Sequence, residues 1–260
     1  MISLVTQGSQ MYRILTASKD TYITNKIIAN KFRATDSNTG QASTLDLFKL
    51  YAESTSGSNA SPVEISRLLV KFDLKPIRDL TSSFLDISHS SFSVNLNLSD
   101  IYGGQTLPSN FNISVFPLSK SFDEGIGRDI INFSDLDTAN FLTASVLDGS
   151  PVLWTREGAD KQGLLGSANI DIISSGSLGA GVVNLIKSQK FSMGTEDLSV
   201  DVTNIISGIL SSQIPDCGFR ISFSGSEETD TKTRFVKRFA SRNTSNYTKK
   251  PRLLVKYNDT

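Results

Sequence analysis

The chain has 260 residues, room for one large domain or two small ones, and its 26 lysines and arginines balance 26 aspartates and glutamates. Zero formal net charge argues against a dedicated duplex-DNA binder, which needs a basic excess to displace counterions. One cysteine excludes an intramolecular disulfide, and one histidine leaves any His-based zinc site or Ser-His-Asp triad dependent on His89.

Residues 1–11 have neither the basic start nor the apolar run of a secretory signal, and they read as an N-terminal arm. No stretch reaches the ~20 apolar residues of a membrane span, so the expectation is a protein made and left in a cytoplasm, off membranes. Residues 54–62 (STSGSNASP) predict a flexible connector. Residues 66–74 (SRLLVKFDL) predict a strand, and 91–98 (SFSVNLNL) alternate apolar and polar at every position, the period of a strand with one buried face. Residues 111–118 (FNISVFPL) repeat that alternation, with Pro117 marking a strand end or an edge.

A turn of helix is expected over residues 135–141, and a second connector over 174–181 (SSGSLGAG). Residues 202–210 (VTNIISGIL) place apolar side chains at 202, 205, 206, 209 and 210, the stripe of a short amphipathic helix with Asp201 at its start. Residues 219–224 (FRISFS) form a further alternating strand, and 224–230 (SGSEETD) predict a hairpin tip. Residues 233–240 (TRFVKRFA) and 252–257 (RLLVKY) complete the set. Strands along the whole length with few helical patterns between them predict an all-β fold: an antiparallel, jelly-roll-like β-sandwich with one or two short helices. Without an internal repeat or a linker flanked by two cores, residues 12–260 read as one domain with a loop-rich middle at about 119–199.

Catalytic, metal and cofactor residues are not expected. His89 lies in the Ser-rich run 86–91 with no Gly-x-Ser-x-Gly elbow anywhere, and reads as a surface loop residue; Cys217 reads as a turn or core residue. The acid sets Asp123/Glu124, Glu157/Asp160 and Glu227/Glu228/Asp230 have the composition a glycosidase needs, as any chain with 26 acids does, and Glu227/Glu228 read as solvated. Residues 169–171 lack the third ligand and the glycine of a calcium loop, and 163–166 lack the Lys and Ser/Thr of a phosphate loop.

The charge distribution says more than its sum. From Thr231 to Tyr257 every charged residue is basic, while acids gather in the middle of the chain. The plain reading is two strands with Lys and Arg on their solvent faces, which also protects edges. The sharper one is an assembly interface through Arg234, Lys237, Arg238 and Arg242, meeting an acidic surface on another subunit.

Taken in order, these runs resemble a known family. Residues 16–23 (TASKDTYI), 66–74 (SRLLVKFDL), Trp154 in a loop, 200–206 (VDVTNII), 218–221 (GFRI), 239–242 (FASR) and 250–257 (KPRLLVKY) are similar to successive motifs of the DNRLRE domain, a β-sandwich module. That resemblance spans about residues 14–257 and implies the fold more specifically than the function. Such modules occur in bacterial surface proteins, in polysaccharide-acting enzymes and in tailed-phage structural proteins. The middle of this chain, including 122–129 (FDEGIGRD), looks like the phage versions.

The implied function is a non-enzymatic structural protein of a tailed-phage virion, in the neck or tail ahead of fibre or capsid decoration. Its partners would be other virion proteins and copies of itself, with no nucleic acid and no membrane, and residues 1–11 could add as a strand to a neighbour's sheet edge. The alternative is a carbohydrate-binding module contacting cell-surface glycans through Trp154, Tyr102 and Tyr247. Against that alternative, a lone tryptophan reads first as a core or loop anchor.

Overall fold

The computed structural model describes residues 10–29, 31–51, 63–82, 85–101, 109–131, 138–179, 181–231 and 234–258. The first strands are β1 (Gln10–Thr24), β2 (Ile27–Ile28), β3 (Phe32–Arg33), β4 (Thr44–Tyr51) and β5 (Val63–Phe72). Helix α1 (Lys75–Thr81) precedes β6 (Ser93–Leu98) and β7 (Phe111–Pro117). The middle holds β8 (Thr143–Leu147), β9 (Ser150–Leu153), β10 (Gln162–Leu164), β11 (Ile172–Leu178), β12 (Gly181–Asn184), β13 (Lys187–Phe191) and β14 (Leu198–Asp201). The last part runs α2 (Thr203–Leu210), β15 (Phe219–Phe223), α3 (Ser226–Thr229), β16 (Phe235–Ala240) and β17 (Arg252–Asn258).

The fold is all-β. Its main sheet follows the order β13-β7-β15-β5-β1-β17-β6-β14, antiparallel at every step, with β4 and β16 joined to β5. One long strand links the two halves. Gln10–Thr16 of β1 pair with β17, a register shift falls between Ala17 and Lys19, and the remainder pairs with β5. A bulge bends and twists its strand, which is how a single strand serves both layers of a sandwich. The two ends of the path meet through a side chain: Gln189 on β13 donates to Asp197 O at 2.9 Å and accepts from the Ser199 N–H at 2.6 Å.

Alternation decides what fills the space between the layers. Phe92, Val94, Leu96 and Leu98 turn inward, as do Leu253, Val255 and Tyr257, and all are buried. Phe111 stacks on Phe191 at 4.9 Å and meets Phe223 edge-on at 5.6 Å. Helix α2 lays Ile205, Ile206, Ile209 and Leu210 onto this core, and the Asp201 carboxylate accepts the Thr203 N–H at 2.8 Å at its start. Each large apolar side chain buried this way stabilises the fold by about 1.5–3 kcal/mol.

The middle of the chain is a covering layer with short strands. It lies over the outer face of the β7-β15-β5 sheet and builds a second core there from Phe116, Phe122, Phe141, Trp154, Ile172 and Leu69. Consequently β15 is buried on both faces, although its alternating sequence reads as a strand with one solvent face. Asn38 pins the layer to the front of the sandwich: its Oδ1 accepts the Gly40 and Gly127 N–H groups, and its Nδ2 donates to Glu124 O and Ala139 O, all within 3.0 Å.

Several expectations are corrected. Gln10 and Met11, assigned to the arm, already belong to β1, while 1–9 lie outside the described residues. The connector expected at 174–181 instead supplies the pairing ends of β11 and β12, where Gly179 at φ +58° lets the chain turn back after Leu178. Residues 224–230, expected as a hairpin tip, contain α3 and join strands that do not pair with each other, β15 lying between β7 and β5 and β16 beside β4. Residues 138–141 bend without forming helix, with 135–137 outside the described residues. The connector at 54–62 also lies outside them.

Candidate functional site

The basic C-terminal segment is used largely inside the chain. Lys237 shares the inward face of β16 with Phe235 and Phe239, and it is fully buried. Its ammonium pairs with the Asp100 carboxylate and donates to Gly194 O at 2.9 Å and Glu196 O at 2.8 Å, beside the rings of Phe191 and Phe239. Burial pulls its pKa below the ordinary lysine value, against the pull of Asp100. Arg238 faces Asp46 across the β16–β4 ladder, Nε to Oδ2 3.2 Å. Arg242 forks onto Glu124, Nη2 to Oε2 2.5 Å, and its backbone N–H donates to Asp20 Oδ2 at 2.6 Å. Arg234 is exposed at the start of that strand. The complementarity expected between subunits is therefore intramolecular for Lys237, Arg238 and Arg242, since buried or half-buried charges need partners close at hand.

Among the aromatic candidates, Trp154 is 5% exposed and donates its indole N–H to Asn140 O at 2.9 Å, the arrangement of a core anchor. Tyr247 is exposed on a short 3-10 turn, and Tyr102 lies outside the described residues. Trp154, being buried, offers no ring face that could join Tyr247 in a platform. His89 is exposed, its Nδ1 bonded to the Ser91 hydroxyl at 2.8 Å. Cys217 is buried near the Ser121 hydroxyl, and burial pushes its thiol pKa up, away from the reactive thiolate.

The acids have structural tasks. Glu228, expected in a solvated turn, forks onto Arg67 at 2.8 and 2.9 Å. Asp171 is fully buried and accepts the Thr155, Arg156 and Lys161 N–H groups, with the Lys120 ammonium 3.2 Å away. Burial opposes its charge, but those donors hold its pKa below the usual carboxylate range.

Two features outside the expected residues stand out. The first is a buried arginine pair on the outer face of the β5-β15 sheet. Arg67 is fully engaged: beyond Glu228 it donates to Gly158 O at 2.7 Å and pairs with Asp160 Oδ1 at 2.8 Å. Gly158 has φ +75°, and a Cβ there would stand 2.8 Å from Arg67 Nη1, so only glycine lets its carbonyl approach. Arg220 on β15 stands over the Phe116 ring, 4.6 Å from its centroid, and donates to the Ser222 hydroxyl at 3.1 Å. Its Nε and Nη1 have no hydrogen-bond partner among the described residues. It lines a pocket of about 280 Å³. An arginine mid-strand between aromatic and aliphatic neighbours is the only sequence signal for it, and that signal also fits a solvent face.

The second is an open strand edge. Residues 10–16 of β1 pair with β17 on one side, and β5 joins the other side only from Ala17 onward. Met11, Tyr12 and Ile14 on this edge are 39%, 69% and 50% exposed. With Gln10, Leu254 and Lys256, Met11 and Tyr12 line a groove of about 420 Å³.

No protein-family model matches the chain, and no curated protein matches it. No helix among the described residues is long and apolar enough to cross a membrane.

Proposed function

We propose that the protein is a non-catalytic structural subunit that assembles with copies of itself, as a part of a tailed-phage virion, with the neck or tail as the preferred place. The observation that supports this reading is the half-paired β1 edge. Among the described residues, no strand pairs with the outward backbone groups of residues 10–16, and Arg13 is the only charged side chain in that run. Soluble monomers usually blunt such an edge with lysines, prolines, bulges or a covering loop. An edge with a single charge and exposed apolar side chains is suited to a second copy: two β1 strands meeting antiparallel pair their outward backbone groups and bury Tyr12 and Ile14 of each. That contact is self-complementary, the form of most symmetric oligomers. The DNRLRE resemblance supplies the setting, since tailed-phage particles are built from repeated copies.

Sedimentation velocity tests it. The wild type is expected to sediment well above its 28.3 kDa monomer mass. A Tyr12→Lys/Ile14→Lys double variant, with its melting temperature unchanged, should sediment as the monomer. A wild type that stays monomeric at high micromolar concentration refutes assembly through this edge. Mass spectrometry of purified particles from the encoding phage checks the setting: the chain should be a multi-copy component, and its absence refutes the virion role.

A further inference from the structure

Lys237 is buried in a setting that suits bond formation as well as ion pairing. Its side chain is fully buried, with Nζ 5.3 Å and 5.0 Å from the centres of the Phe191 and Phe239 rings. The Asp100 carboxylate, 10% exposed, touches Nζ directly. Two carbonyls fix the direction of that approach. Gly194 O at 2.9 Å and Glu196 O at 2.8 Å take two of the three N–H groups, and the third points at Asp100. In the amine form the lone pair occupies that third position and faces the carboxyl group.

Burial favours the neutral forms. It is the largest influence on Lys237 and pulls its pKa down, while Asp100, Glu196 and Asp197 pull it up. Desolvation penalises an ion pair far more than the amine and carboxylic acid that one proton transfer makes of it. A desolvated lysine amine is a nucleophile, and two reactants held in contact have an effective concentration above any reached in solution. Glu196 adds an acceptor. Its Oε1 is committed to the Ser192 and Met193 N–H groups, but its Oε2 is buried with no hydrogen-bond partner among the described residues. Buried acceptors are nearly always satisfied, so an idle one whose charge acts on the ammonium calls for a task.

We propose that Lys237 and Asp100 condense into an intramolecular isopeptide bond, with Glu196 carrying the proton. The ammonium first gives one proton to Asp100, leaving an amine and a carboxylic acid. Nζ attacks Cγ, the N–C bond forms, and Glu196 Oε2 takes a proton from the nitrogen. Glu196 returns that proton to the Asp100 hydroxyl, the C–O bond breaks, and one water leaves. Nothing is oxidised or reduced, and the remaining N–H keeps a backbone carbonyl to donate to. The bond joins residues 137 positions apart, tying the chain just beyond β6 to β16. It supplies a covalent staple to a chain whose single cysteine excludes an internal disulfide. It does not depend on assembly through β1.

Intact-mass spectrometry of the purified full chain reads the bond directly. After incubation at neutral pH the wild type is expected to weigh one water less than its sequence. Tandem spectra of a tryptic digest should show the peptide holding Lys237 joined to the peptide holding Asp100. Lys237→Arg keeps the cation without the amine nucleophile and should retain its full sequence mass. Glu196→Gln keeps an acceptor for the Ser192 and Met193 N–H groups and should lose water about a hundredfold more slowly. A wild type that stays at its full sequence mass overturns the proposal, and that result needs no variant to fold. So does a water lost elsewhere, as in a succinimide at Asp148–Gly149, or water loss as fast in Glu196→Gln as in the wild type.

Discussion

At the scale of single residues, the fold holds several charges under unusual terms. Asp20 is 1% exposed, and its Oδ1 has no hydrogen-bond partner among the described residues. Burial pushes its pKa from 3.8 up to about 7, against the Arg242 N–H bond, and the like charge of Glu124 adds to the rise. A carboxyl that is harder to ionise in the folded than in the unfolded chain stabilises the fold fully below its unfolded pKa. That contribution is lost as pH rises through the folded value, here across the window from 3.8 to about 7. Asp20→Asn keeps an acceptor for the Arg242 N–H and removes the ionisation. The variant should be the more stable at pH 8, by on the order of 2 kcal/mol, with the advantage shrinking as pH falls from about 7 towards 3.8. Melting curves that run parallel from pH 5 to 8 would contradict this.

Lys237 shows the opposite case, a buried charge with every partner present. Lys237→Met leaves Asp100 and two backbone carbonyls without their donor, and urea denaturation should report a loss of about 3–5 kcal/mol. A loss under about 1 kcal/mol would mean that water reaches Asp100 and replaces the ammonium. Lys237 has the parity of Phe235 and Phe239, yet its charge led the sequence reading to place it at an assembly interface, and its burial corrects that reading. Its partners were not readable, because Asp100 and the 194–196 turn lie 41 to 137 positions away.

At the scale of elements, strands were legible and covers were not. The runs over β5, β6, β7, β15, β16 and β17 announce themselves because period two is a local property of the chain. Helix α2 is equally plain, its isoleucines spaced for one face. What a strand's outer face touches is non-local, and there the reading failed: Arg220 and Ser222 occupy the polar positions of β15 but lie beneath the middle segment.

Trp154 belongs to that covering layer. Trp154→Ala should cost about 3–5 kcal/mol, through the cavity it opens among Phe122, Phe141 and Leu69 and through the bond lost to Asn140. A glycan platform behaves differently: its removal would leave stability intact and abolish sugar binding. Thermal melting distinguishes the two, and a Trp154→Ala variant as stable as the wild type would contradict the anchoring role.

At the scale of the whole molecule, the balance of charge acquires a geometric meaning. Basic residues concentrated after Thr231 answer acids drawn from the front and middle of the chain: Arg238 to Asp46, Arg242 to Glu124, Lys237 to Asp100. Opposite charges far apart in sequence become neighbours because β16 runs beside β4 and the last strand closes onto β1. The remaining surface features point outward from different places, one along the β1 edge and one on the outer face of β15.

The sequence by itself determined the all-β class, the main strands and the inward side of most of them, because backbone period and side-chain polarity are written residue by residue. Only the tertiary structure decided which polar positions are buried, which acid answers which base, and which strand edge is left open. Those are properties of layers and neighbours, set by residues tens to hundreds of positions apart, and no local pattern in a single chain records them.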